Sequence, residues 1–474
     1  MTEIITRTRS LSTFGLSLLY LSNLFLKSEL VNELCFVLMI AVMLLSLPAI
    51  SGISRVIGYA SLGLSAVLFL LYRAPLSVWK QALTGNLYLV ALFTMVPILS
   101  IPIRHGGYYP ALQDFFRRYV YTNRRYYVMV SFTSAFVGVL VNLAVVPLVY
   151  QIVQASEISR NKKLMSSAIS RGFATCAIWA PTTAAVALVI QVSGANWGRF
   201  APLGILCGVI SGIIGYAMTK FKENESGALK HVLPEDTKAH LMDHSMDHSM
   251  DHLEGGSKLN KIIELGAFSV VLIAAIAVIS VVTGIQTVIV VSMAALTFPF
   301  LWMGLIGRLP VLIHDIKTSY FKNRLTKLSN EIVLFVGAGM LASSITFSEL
   351  GNYIPVALSR LVGDSAFLLA VVVVFGIVVL SALGVHPIIP ITIIGGTIQG
   401  SDFGVTSTYI ALLLGISWSM GITLSPTSAT VITLSGVSSR SPLQVGLEWN
   451  GLYVLVTSSV LIVVITGLRM VGWV

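Results

Sequence analysis

Two short stretches put a proline where an apolar segment would otherwise run on as one helix. They read Ile178-Trp179-Ala180-Pro181-Thr182-Thr183-Ala184-Ala185 and Thr423-Leu424-Ser425-Pro426-Thr427-Ser428-Ala429-Thr430. Proline has no N–H and cannot continue a helix's hydrogen bonds. Small hydroxyl residues follow each proline, and then a fresh helix begins. The free N–H groups and positive dipole end of such a terminus suit a carboxylate or another oxyanion. Thr182, Thr183, Thr427 and Ser428, with Ser425 just before the second proline, add neutral hydroxyls. Carbonyls left unpaired upstream of each break are hard oxygen ligands of the kind Na⁺ takes. Hydroxyls at a kink can also do no more than satisfy local backbone. One kink would be ordinary, whereas Pro181 and Pro426 are a symmetric pair 245 positions apart.

Two other apolar blocks, 127–153 and 365–398, carry polar residues and helix breakers in their middle. The first has Asn142 and Pro147; the second has Gly384, His386, Pro387 and Pro390. If each block enters and leaves on one side as a helical hairpin, Asn142 and His386 fall at the tips. Non-helical backbone at membrane depth is tolerated only where protein or a water-filled cavity satisfies it. A proline-kinked ordinary span is the plainer alternative. A titratable side chain within the membrane is a functional candidate by default. An imidazole changing charge near neutrality would suit proton coupling or anion binding, though at an aqueous mouth it can simply be solvated. No Asp or Glu lies in the central part of any apolar segment; Glu264, Asp364 and Asp402 stand near ends or outer edges. That argues against a divalent-cation site and against a carboxylate proton relay, and it favours an anionic or neutral substrate.

A third feature is chemically separate. Met242-Asp243-His244-Ser245-Met246-Asp247-His248-Ser249-Met250-Asp251-His252 repeats Met-Asp-His-Ser, and His240 extends the fourfold spacing. His240, His244, His248 and His252 would share one helix face, and imidazole, thioether and carboxylate together suit copper, nickel, cobalt or zinc. Such a tract can buffer, sense or be a tolerated repeat expansion, so metal capacity does not make metal the cargo.

These residues need a membrane to position them. Of the 474 residues 55% are hydrophobic and 11% charged, and mean hydropathy is +0.87; a soluble protein carries about 25% charged residues. Apolar runs of about 20 residues, each long enough to cross roughly 30 Å of hydrocarbon, follow one another. Spans are expected near 11–26, 30–50, 56–72, 84–103, 164–192, 200–220, 260–284, 286–307, 330–348, 406–434 and 451–470. The run 11–26 follows Arg7 and Arg9 with no small-residue cleavage site after it, and reads as a first span rather than a signal peptide. Cys35, Cys176 and Cys207 form no CxxC and no disulfide framework. No nucleophile–base pair, nucleotide loop or metal-catalytic spacing is evident, so the expectation is a carrier and not an enzyme.

Charge gives an orientation. With the N-terminus inside and both blocks re-entrant, 24 of the 30 Lys and Arg lie on the cytoplasmic side. Only Lys27, Arg73, Lys80, Arg199, Arg360 and Arg469 lie outside. This is the positive-inside pattern, and it accounts for the net charge of +10 without nucleic acid. The fold expected is an all-α polytopic membrane protein of about eleven transmembrane helices plus two re-entrant hairpins, C-terminus external, in the inner (plasma) membrane.

The halves repeat one order of parts: a span, an amphipathic arm, a breaker-tipped block and a broken segment ending in Ser193-Gly194 or Ser435-Gly436. Pro147 and Pro390 differ by 243 positions, close to the 245 of the breaks, and a near-constant offset is what duplication leaves. The organisation expected is a first segment and span (1–29), a first inverted repeat (30–220), a cytoplasmic linker (221–259) and a second inverted repeat (260–474). Inverted repeats with paired discontinuous helices point to a midplane site in secondary carriers.

Over roughly residues 30–470 the arrangement resembles the ion-transporter superfamily, best known from the divalent anion:sodium symporters of dicarboxylates and citrate. Those carriers have Ser-Asn-Thr at each hairpin tip; here the tips read Val141-Asn142-Leu143-Ala144 and Gly384-Val385-His386-Pro387, so carboxylate specificity does not carry over. The resemblance implies a homodimer and an elevator motion of tips and broken helices past a fixed scaffold. The function expected is Na⁺- or H⁺-coupled transport of a small organic anion, with no required cofactor. Transport of a transition metal or metal chelate, served by the linker, is the alternative.

Overall fold

The computed structural model describes residues 2–120, 122–154, 156–225 and 248–474. It is 86% helical, and the described residues contain no strand. The chain is an all-α, multi-pass membrane protein. Nine helices or helix tracts among the described residues are long and apolar enough to cross a bilayer, or up to ten if a bent pair counts as one span.

The first helix, α1 (Thr2–Leu26), is not among the nine; Arg7, Arg9 and scattered Ser, Thr and Asn residues dilute the apolar run expected there to span. There follow α2 (Glu29–Ser46), α3 (Gly52–Leu71), α4 (Leu76–Thr84), α5 (Leu87–His105), α6 (Tyr108–Tyr119), α7 (Asn123–Val141), α8 (Val145–Val153), α9 (Lys162–Ala177), α10 (Ala184–Ser193) and α11 (Trp197–Glu225). After the linker come α12 (His248–Thr283), α13 (Thr287–Leu305), α14 (Leu309–Asp315), α15 (Ser329–Phe347), α16 (Tyr353–Val362), α17 (Ala366–Ala382), α18 (Ile388–Thr397), α19 (Ser407–Leu424), α20 (Ala429–Ser438) and α21 (Trp449–Met470). The segments expected at 164–192 and 406–434 are therefore each two helices, divided at the prolines. The helices flanking the linker run further than expected, to Glu225 and from His248.

Packing sorts these elements into two blocks. In one, α3 packs on α15, α13 packs on α5, and α1 lies on α2 and α5. In the other, α7 packs on α9 and α17 on α19, with α11 and α21 behind them. The blocks meet where α7 and α10 touch α5 and where α18 touches α15.

Inside the second block α7 and α9 run parallel. The Ser131 hydroxyl donates to the Ala168 carbonyl at 3.0 Å, Gly172 lies against Ser131 and Ser134, and Gly138 lies against Cys176. A Cβ on Gly172 would stand 2.3 Å from the Ser131 oxygen, so only glycine allows this approach, as small residues do between membrane helices. Between the parallel pair, α8 must run back. Its first residue, Val145, neighbours Gly138, while Tyr150 lies 5.9 Å from the Lys162 ammonium at the start of α9.

The same construction recurs downstream. The Tyr409 hydroxyl donates to the Ala366 carbonyl at 2.9 Å and Gly421 lies against Ser381, making α17 and α19 parallel. Pro387 lies against Gly421 and Gly395 against Leu414, so α18 runs back. The two systems cross where the Ser419 hydroxyl donates to the Ala174 carbonyl at 2.7 Å, between residues 245 apart. Gly415 lies beside the Ile178 carbonyl, so α9 and α19 cross antiparallel. The hairpins α7–α8 and α17–α18 consequently point in opposite directions.

Candidate functional site: two helix breaks, each tied to a hairpin turn

Each proline ends one helix, and a hydroxyl starts the next. Thr183 caps α10: its Oγ1 accepts from the Val186 N–H at 3.3 Å and donates to the Ala180 carbonyl at 2.8 Å. Ser428 caps α20 in the same way, accepting from the Val431 N–H at 3.2 Å and donating to the Ile422 carbonyl at 2.6 Å. Such a cap satisfies one of the orphan donors of a helix start. The next donors, the N–H groups of Ala184 and Ala185 and of Ala429 and Thr430, find no acceptor among the described residues. The carbonyls of Ile178 and Thr423, which a continuous helix would use, likewise receive no donor there. Each break therefore offers free N–H groups on one side and free carbonyl oxygens on the other.

The second hydroxyl of each break reaches its hairpin. The Thr182 hydroxyl donates to the Val139 carbonyl, 43 residues away. The Thr427 hydroxyl donates to the Gly384 carbonyl at 3.1 Å, also 43 residues away, and pairs with Ser425 Oγ at 2.9 Å. Asn142, at the first turn, has φ 52° and ψ −134°, a region that costs a non-glycine residue on the order of 1–3 kcal/mol. Its side chain is half-buried and hydrogen-bonds no described residue. The second turn places positive φ on Gly384, at 93°. His386 is half-buried, Nδ1 lies 3.3 Å from the Ile388 N–H, and its ring meets Trp418 edge-on at 6.1 Å. Trp418 stands 5.9 Å from Phe335, and Phe335 4.7 Å from Phe93, so the second tip connects through aromatic rings to the other block.

The expected site residues thus form two groups. Asn142, Pro181, Thr182 and Thr183 belong to one; His386, Ser425, Pro426, Thr427 and Ser428 belong to the other. The groups flank the α9–α19 crossing, and no hydrogen bond among the described residues joins them. The metal-binding expectation falls mostly outside the described residues: 226–247 contain His240, Met242, Asp243, His244, Met246 and Asp247. His248, Met250, Asp251 and His252 lie in the first turns of α12, where only the backbone is described.

Several participants carry no word in the sequence. The Val139 and Gly384 carbonyls are backbone atoms, and Trp418 is one aromatic residue in a long apolar segment. Arg171 had a signal, a charge inside the run 164–192, but charge counting treats it as topology alone. Glu331 stands in the first turn of α15 with an unpartnered Oε2, an acid just inside a span's end.

No family model matches the chain, and no curated protein matches it.

Proposed function

We propose that this chain is a secondary active transporter of a small organic anion, coupled to Na⁺ or H⁺ and working by an elevator motion. The observation that carries the reading is the paired tie between hairpin turn and helix break, Thr182 to Val139 and Thr427 to Gly384. Each spans 43 residues, on helices that cross antiparallel at residues 245 apart. The reading makes 30–220 and 260–474 inverted repeats, with re-entrant hairpins among about eleven spans. Free N–H groups at the starts of α10 and α20 hold the anion, and free carbonyls with threonine oxygens hold the cation. The crossed pairs α3–α15 and α13–α5 form the scaffold, while α7–α11 and α17–α21 move as one body.

Membership in the ion-transporter superfamily, a homodimeric assembly, the inner membrane and the absence of enzymatic activity belong to the same reading. Its orientation has the N-terminus and linker inside and the C-terminus outside. Cysteines introduced at Ser249 and Asp402 should label from opposite faces; labelling of both from outside overturns the orientation. Function is tested in proteoliposomes by counterflow of labelled dicarboxylates, with and without Na⁺, beside uptake of zinc, nickel and copper. Accumulation of a carboxylate under an imposed Na⁺ or proton gradient is the expected result. Metal uptake without carboxylate uptake would transfer the assignment to the metal carrier that the His-Met-Asp tract favours.

A further inference from the structure

Arg171 lies within α9, upstream of the first break, and its side chain is 8% exposed. A cation in the membrane is costly and is kept where it has work to do. No Asp or Glu among the described residues pairs with it, whereas the partly buried Arg324 has Asp315 at 3.4 Å. Neutral groups hold Arg171 instead. Its Nε donates to Asn450 Oδ1 at 2.9 Å and its Nη2 to the Trp449 carbonyl at 2.9 Å. The guanidinium lies 4.5 Å from the centre of the Tyr453 ring, a cation–π distance.

The contact chain continues past Asn450. That fully buried amide donates to the Val445 carbonyl at 2.9 Å. Val445 belongs to a π-turn, Gln444–Glu448, a wider turn often found at functional places in helices. The next residue, Gly446, presses on the last carbonyl of α19: a Cβ there would stand 2.3 Å from the Leu424 oxygen. Leu424 directly precedes Ser425-Pro426. A side chain of the first half thus reaches, through α21 and the π-turn, the carbonyl edge of the second break. No guanidinium mirrors it in the other half, because the position of α19 that lies 245 beyond Arg171 is Ile416.

We infer that Arg171 is a positioning residue for the second helix break. Through Asn450 and the π-turn it fixes the carbonyl end of α19, so the helix carrying the first break sets the geometry of the second. The role rests on the breaks being the ion and substrate site, but its geometric consequence is measurable without that reading. A guanidinium suits the task because its donors form a rigid planar fork. Removing it leaves the buried Asn450 oxygen without its donor, and the π-turn is then free to relax away from Leu424.

Hydrogen–deuterium exchange on the full-length protein in detergent tests this directly. Arg171→Met and Asn450→Ala should each speed exchange across 425–432 by about tenfold, roughly 1.4 kcal/mol of lost protection. Exchange across 180–187 should stay nearly unchanged, although it adjoins the helix that carries Arg171, and the double variant should add little to either single one. Gly446→Ala, which leaves Arg171 in place, should loosen the same 425–432 peptide and covers the case in which Arg171→Met fails to fold. Na⁺ alone, titrated by thermal shift, should bind about tenfold more weakly to Arg171→Met and be partly restored in Arg171→Lys. Equal loosening of both breaks, loosening confined to 449–453, or fully additive single variants would overturn the proposal. A wild-type protein that ignores Na⁺ would count against the cation reading of the breaks, while the exchange pattern would still decide the role of Arg171.

Discussion

The two breaks share their wording and their local hydrogen bonds, yet they stand in different surroundings. At the first, Thr182 and Thr183 are 0% and 1% exposed and α10 is buried from Ala184 to Val189, packed on α5, α18 and α19. At the second, Pro426 and Thr427 are half-buried, and Ala429, Ile432 and Gly436 leave one face of α20 exposed. The other block treats them unequally too. α10 and α18 press on α5 and α15, while their counterparts α20 and α8 make no comparable packing there. Local sequence thus builds the break, and packing against the first block decides whether it is reachable. Under the proposed transport reading, one sealed and one open break are what a single state of an alternating carrier would present. In the proposed orientation the open end, α8 with α20, faces the cytoplasm.

The comparison is most easily broken by labelling. Cysteines at Ala429 and Ile432 should react with a small hydrophilic thiol reagent at least about 100-fold faster than cysteines at Ala184 and Ala187, since the latter need an opening worth roughly 3 kcal/mol. Equal rates would show that the asymmetry is not a property of the protein in solution. A substrate or ion that brings the rates together would show the second state.

Single hydroxyls sharpen the contrast. Thr182→Val leaves the buried Val139 carbonyl without its donor, which costs about 1–3 kcal/mol, or roughly 5- to 150-fold in ligand affinity. Thr427→Val should cost less, about 0.5–1.5 kcal/mol, because water can reach the Gly384 carbonyl of the open break. Transport and affinity are the readouts, with thermal unfolding expected to move far less. Wild-type transport by both variants would remove these residues from the site.

The smallest effect is expected at the linker. Deleting Met242–His252 should abolish most transition-metal binding, read by calorimetry, and leave transport within about twofold of wild type, as loop changes far from a site usually do. Loss of all transport in a folded deletion would make the metal central.

Helix existence and the break positions were readable because their causes are local. Apolar runs of bilayer length must be helices, and Pro181 and Pro426 interrupt two of them wherever the chain goes. The hairpin turns at Asn142 and at Gly384–Pro387 were readable for the same reason. Pairing was not. That Thr182 reaches Val139, that Ser419 meets Ala174 and that Arg171 grips Asn450 depend on helices brought together from distant sequence, through backbone atoms with no residue-type signal. Exposure was equally hidden, because two nearly identical words, one sealed by α5 and one uncovered, differ only in their neighbours. The sequence by itself determined where the helices break and which groups each break frees. Only the tertiary structure decided which hairpin holds each break, and which of the two lies open, because those depend on how the blocks pack.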